Sequence, residues 1–233
     1  MHPYSIPQEL IERVRARAGK EHPFDVIDPI RTALVVVDMQ NYFVKEGFMG
    51  EVPKARDVVP SINKLSRSIR DAGGKVYWVK NTAVNTLDEW SVFNNCLMTP
   101  DKRDLRYSEQ HIDHEGHKIY SALNVESDDT HIVKRRFSAF IQGSSDIVER
   151  LNSDGIDTIL IAGTATNVCC ESSARDAMML NFKTIMVADA LATWTDEEHA
   201  AALTNFYSIF GDVQTVDEVI GFMVPKPAVA VPA

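Results

Sequence analysis

Six short runs rich in β-branched and apolar residues constrain this chain more than any other feature. They are Thr32–Val37 (TALVVV), Lys75–Val79 (KVYWV), Thr130–Val133 (THIV), Thr158–Ala162 (TILIA), Thr184–Ala188 (TIMVA) and Asp212–Val216 (DVQTV). Each is continuous rather than alternating, the pattern of strands buried on both faces of a parallel sheet. Helical patterns lie between them. The stretch 59–72 places Ile62, Leu65 and Ile69 on one face and closes on Gly73-Gly74. The stretches 144–153, 168–180 and 196–206 follow, the last opening on an acidic first turn behind Thr195. Alternation of strand and helix predicts an α/β fold with right-handed crossovers and helices on both faces of the sheet.

With 233 residues, 45% of them hydrophobic, the chain has enough apolar material for one sizeable core. The net charge of -9 argues against nucleic-acid and anionic-membrane partners, which need cationic patches. No apolar run reaches the roughly 18 residues of a membrane span, and MHPYSIPQELIERVR lacks an apolar signal core. Three cysteines, Cys96, Cys169 and Cys170, make a disulfide framework a poor reading, and free thiols in a reducing cytoplasm are expected. The sequence divides into an N-terminal helical extension (1–30, with a helix over 8–18), the α/β domain (31–222) and a Pro/Ala-rich flexible tail (223–233). Residues 81–129 are polar and irregular, a long excursion expected to act as a lid or a subunit contact.

In open parallel sheets ligands sit beyond the carboxyl ends of the strands, at the switch in strand order. Asp38 follows the first strand, Lys134 closes the third, and Cys169-Cys170 opens the helix after the fourth. Taken singly, Asp38 reads as a turn cap, Lys134 as a strand-end lysine reaching solvent, and either cysteine as a small core hydrophobe. Together they put a carboxylate, an ammonium and a thiol on one sheet edge. A thiolate is the nucleophile a cysteine supplies, and both a helix N-terminus and Lys134 favour the anion. Asp38 can carry the proton from thiol to leaving amine. Successive helical residues point about 100° apart, so only one of Cys169 and Cys170 faces a pocket, and spacing from the strand leaves the choice open.

DMQNYF, KRRFSAF and GTATNVCCESSARDA, in that order, resemble the three signatures of the isochorismatase-like cysteine hydrolase family, over about Thr32 to Val219. The resemblance implies a three-layer α-β-α fold around a six-stranded, mostly parallel, Rossmann-like sheet. It implies an Asp38–Lys134–Cys169 catalytic triad, with Cys170 a packing residue. It also implies a cis peptide between Ala165 and Thr166, and an oxyanion hole made by the N–H groups of Ala165 and Cys169.

The family's members differ in reaction. True isochorismatases lack the cysteine nucleophile that this chain has. Nicotinamidases carry an Asp-x-His metal site after the second strand, whereas no histidine occurs here between His22 and His111. The resemblance therefore implies a metal-free, cofactor-free amidase acting on a small carbamoyl or ureido compound of the biuret, triuret, ureidoacrylate or N-carbamoyl amino acid type. A nicotinamidase- or maleamate-type amidase and a non-catalytic binding member of the fold are the alternatives. The family also implies a homo-oligomer, dimer or tetramer.

Candidate substrate contacts are Gln40, Asn41, Phe43 and Phe137, which adjoin Asp38 or Lys134 in sequence, and Asn81, which ends the second strand. Arg135 and Arg136 can meet a substrate carboxylate or a surface acid. HIDHEGH spaces His111, His114 and His117 three apart, but Gly116 interrupts a helix there, so a solvated turn is expected rather than a metal cluster.

Overall fold

The computed structural model describes residues 1–224. Six strands, β1 (Thr32–Val37), β2 (Lys75–Asn81), β3 (Thr130–Lys134), β4 (Thr158–Thr164), β5 (Lys183–Ala192) and β6 (Asp212–Gln214), form one sheet of order β3-β2-β1-β4-β5-β6. Every pairing is parallel. The order reverses between β1 and β4, the two central strands, both buried along their whole length. Burial on both faces is why their sequences are unbroken apolar runs.

Ten helices flank or extend the sheet: α1 (Gln8–Ala18), α2 (Asn41–Val44), α3 (Val59–Asp71), α4 (Thr86–Glu89), α5 (Ser91–Cys96), α6 (Pro100–Glu109), α7 (Ile147–Ser153), α8 (Glu171–Met179), α9 (Asp196–Ile209) and α10 (Val216–Phe222). On one face, Leu10 and Val14 of α1, Leu151 of α7, Ala174 of α8 and Phe206 of α9 pack on Val35, Val37 and Ile161. On the other, Ile62, Leu65 and Ile69 of α3 and Val219 of α10 pack on Leu34, Val36 and Leu160. Alternate residues of β1 and β4 thus feed the two half-cores, as strand pleating requires.

The excursion after β2 carries three short helices, α4 to α6, that its polar composition did not announce. Helix α10 was also missed, although Thr215 and Glu218 form a capping box at its start. The N-terminal stretch is not set apart. Leu10 and Val14 belong to the core, and the Ile27 N–H donates to Phe222 O while the Val224 N–H donates to Ile27 O. Met223 and Val224 are therefore tied to the domain, and the rest of the expected tail lies outside the described residues.

Candidate active site

Three strand ends set the geometry. Asp38 follows β1 with a left-handed backbone (φ 54), and its N–H donates to Val79 O at 2.8 Å. Lys134 is the last residue of β3 and pairs in register with Asn81, the last of β2. Beyond β4 the chain passes through a cis peptide between Thr164 and Ala165, one residue earlier than the expected Ala165–Thr166 bond. The reversal thus falls at the last residue of the strand, Thr164, which still pairs with Ala192. A π-helical turn, Thr166–Cys170, then leads into α8. Cys169 sits in that π turn rather than in the first α turn predicted for it, and wider turns of this kind recur at functional sites.

The close approach of β4 to β1 depends on Gly163. Its φ is 108, and a Cβ there would lie 2.1 Å from Val37 O. Only glycine fits both the dihedral and the space.

The Lys134 ammonium lies 2.8 Å from Asp38 Oδ2 and 3.5 Å from Cys169 Sγ, and donates to Arg136 O at 3.1 Å. Asp38 and Lys134 have no exposed surface and Cys169 is 4% exposed. The ammonium and the Asp38 carboxylate form a fully buried ion pair, and the Cys169 thiol also stands within reach of that carboxylate. Cys170 is fully buried in the core.

Burial raises the Asp38 carboxyl above the usual range, against the pull of Lys134 and Cys169. Burial would lower the Lys134 ammonium, but the charges of Asp38 and Cys169 outweigh it and hold the group above its ordinary value. Burial, together with the Asp38 charge, pushes the Cys169 thiol well up. Burial thus favours the neutral thiol, contrary to the thiolate anticipated from a helix start and a neighbouring lysine, and the Lys134 ammonium is the counter-charge within reach of both groups.

The Ala165 N–H has no acceptor among the described residues, whereas the N–H groups of Val168 and Cys170 both donate to Ala165 O. The π turn is braced from behind: Thr166 Oγ1 and His199 Nδ1 are 3.0 Å apart, and His2 stacks on His199 with centroids 4.5 Å apart. Burial, aided by His2, holds the His199 pKa down to about 3, so this ring is neutral.

A model of the isochorismatase domain matches residues 32–218. The chain belongs to the isochorismatase family. Among curated relatives of this isochorismatase-family chain, ureidoacrylate amidohydrolase RutB of Pseudomonas syringae pv. syringae is 34% identical over 218 residues, 82% of each chain. Enterobactin synthase component B of Escherichia coli is 30% identical over 204 residues, covering 87% of this chain and 67% of that one. A solved cysteine hydrolase from Pseudomonas syringae pv. phaseolicola superposes with a TM-score of 0.71 at 28% identity, over 83% of this chain and 92% of the other. The family of hydrolases and the α/β fold are thereby shown. No helix among the described residues is long and apolar enough to cross a membrane.

The expected substrate contacts divide. Gln40 is spent on structure: its Nε2 donates to Asn81 O and His117 O, and its Oε1 accepts from the Asn81 N–H. Asn41 Nδ2 donates to Glu115 O. Phe43 packs in the half-core on the α3 side, the face opposite Cys169. Asn81, in contrast, has a buried Oδ1 with no donor, and Phe137 packs against the cluster that holds Cys169. Phe137 also meets Trp90 and Phe93 edge-on, at 4.8 and 5.1 Å.

Arg136 caps that aromatic wall. It lies 5.5 Å over the Trp90 ring and donates to Glu89 O at 2.8 Å, tying the α4–α5 junction to the end of β3. His111 is exposed, His114 accepts from the Gly116 N–H, and His117 is buried with a free Nε2. No set of three His, Cys, Asp or Glu side chains arranged to hold a metal occurs among the described residues. Arg106 on α6 escaped sequence reading because its surroundings, PDKRDLRYSE, look like a solvated helix. It is 4% exposed, and burial lowers its pKa although the nearby Tyr42, Cys169 and Asp38 oppose this.

Proposed function

We propose that this chain is a cysteine-dependent amidohydrolase that cleaves a C–N bond of a small linear amide, of carbamoyl or ureido type, through a thioester-like acyl-enzyme. One observation carries the reading. A single buried ammonium touches both a carboxylate and a thiol, at the point where the strand order reverses. The likeness to an amidohydrolase named for ureidoacrylate supports the substrate class.

The arrangement sets the chemistry. When an amide carbon stands over Cys169, the Sγ proton passes to Asp38 and the sulfur attacks. The negative charge moves from carboxylate oxygen to sulfur beside the same ammonium, so the dry site gains no net charge. As the C–S bond forms, charge develops on the carbonyl oxygen, and the N–H groups of Ala165 and Cys169 receive it. Protonated Asp38 then gives its proton to the departing ammonia or amine as the C–N bond breaks. Water enters, Asp38 takes its proton, the hydroxide adds to the thioester-like carbon, the C–S bond breaks to release the acid product, and Asp38 returns the proton to the departing thiolate. Lys134 keeps sulfur and carboxylate within proton-transfer reach throughout.

An ammonia-release screen across biuret, triuret, ureidoacrylate, N-carbamoyl amino acids, maleamate and nicotinamide tests the reading. The ureido and carbamoyl compounds are the expected substrates. Cys169→Ala is expected to lower turnover at least ~1,000-fold with unchanged circular dichroism. Turnover by C169A within tenfold of wild type would refute the mechanism.

A further inference from the structure

We infer that the substrate of this site carries a carboxylate and that Arg106 is the residue that receives it; the inference rests on the amidohydrolase reading and narrows it. Arg106 has five N–H donors, yet its only side-chain hydrogen bond is a long one, Nη1 to Asn94 Oδ1 at 3.4 Å. No acid lies within 4.0 Å of the guanidinium among the described residues. Its Nε and Nη2 find no acceptor there either, and neither is sealed off from open space. An arginine 96% buried with no counter-ion is costly to keep. Surface acids are plentiful in this chain, and none has been recruited to it.

The fold aims α6 at the site. Gln110, one helical turn beyond Arg106, accepts from Asn81 Nδ2 at 3.3 Å, and its carbonyl accepts from Thr82 Oγ1 at 3.1 Å. Residues four apart share a helix face, so Arg106 lies on the side of α6 that meets the end of β2. Its guanidinium sits 5.1 Å over the Phe93 ring, and Phe93 meets Phe137 beside the cluster holding Cys169.

Charge bookkeeping gives the same answer. Lys134 pairs with Asp38, whereas Arg106 has no acid partner among the described residues and leaves one uncompensated positive charge at a buried site. Of the acids nearest it along α6, Asp104 pairs with Arg103 and Glu109 already accepts from the Met49 N–H. One anionic group on the ligand neutralises the site. The free Asn81 Oδ1 supplies an acceptor for a ureido N–H. A linear ureido acid thus matches the groups on offer, whereas biuret, triuret and nicotinamide leave the guanidinium unpaired.

The test compares N-carbamoylglycine with its uncharged counterpart, N-carbamoylglycinamide, by calorimetric titration of the C169A protein. The acid is expected to bind about 100-fold more tightly, since truncating one partner of a buried charge pair costs that much or more. In C169A/R106M the preference should fall to within a few-fold, and C169A/R106K should restore part of it. If R106M does not fold, R106Q gives the same reading. Equal binding of acid and amide by C169A, or a preference that survives in R106M, overturns the inference. The amidohydrolase reading fails by a separate result, turnover that persists in C169A, so the two failures are distinguishable.

Discussion

Lys134→Met tests the electrostatic design of the site directly. The substitution removes the ammonium 2.8 Å from Asp38 and leaves a fully buried carboxyl without a counter-charge. A carboxylate stranded this way takes up a proton, and its pKa rises well above the ordinary carboxylate range. The unfolded chain ionises at the ordinary value. The folded pKa is the higher one, so the native state keeps a proton that the unfolded state has lost, and stability falls as pH rises. The slope reaches about 1.4 kcal/mol per pH unit above the ordinary carboxylate value, and the ~3–5 kcal/mol cost of breaking a buried ion pair sets its ceiling. In the wild type Lys134 offsets part of the burial penalty, and the slope is smaller. Urea denaturation followed by circular dichroism at pH 4, 5, 6 and 7 measures this. K134M should approach wild-type stability near pH 4 and diverge steadily above it. Asp38→Asn in the K134M background removes the charge and should recover most of the loss at pH 7. A K134M deficit independent of pH, or a double variant no more stable than K134M, would show that the ammonium does not neutralise Asp38.

Two further expectations concern the elements that hold the site. Gly163→Ala forces a Cβ to within 2.1 Å of Val37 O at φ 108 and should cost about 3 kcal/mol or more; a thermal melt indistinguishable from wild type would refute the claim that only glycine fits between β1 and β4. Burial holds His199 down to about 3 and His117 down to about 4, against an ordinary value near 6.5. The unfolded chain binds these protons first, so stability is full above about pH 6.5 and falls on acidification towards those values, by up to ~1.4 kcal/mol per pH unit for each ring. His199→Gln should lower the slope by about one proton, and an unchanged slope would remove His199 from the account.

Much of the architecture was legible because its causes are local. Strands buried on both faces must be continuous apolar runs, and the six runs correspond to the six strands within a few residues at each end. The motif that leads into α8 marked the region after β4. Other features had no local signature. Thr215 and Glu218 cap α10, but the helix has only seven residues and no long periodic pattern. Gln40 looked like a ligand contact from its place beside Asp38, and only the fold shows its amide spent on Asn81 and His117. Arg106 lies on a strongly polar stretch, and its burial comes from packing against Phe93.

The sequence by itself determined the α/β class, the order of strands and helices along the chain, and the carboxylate, amine and thiol that stand just past strand ends. Strand order in space, the distances among those three groups and the burial that raises the thiol's pKa were decided by the tertiary structure alone. The reason is one of range. Periodicity and turn chemistry act over a few residues, whereas desolvation and Coulomb interaction act between groups brought together from positions 38, 106, 134 and 169, and their balance does not exist until the sheet has formed.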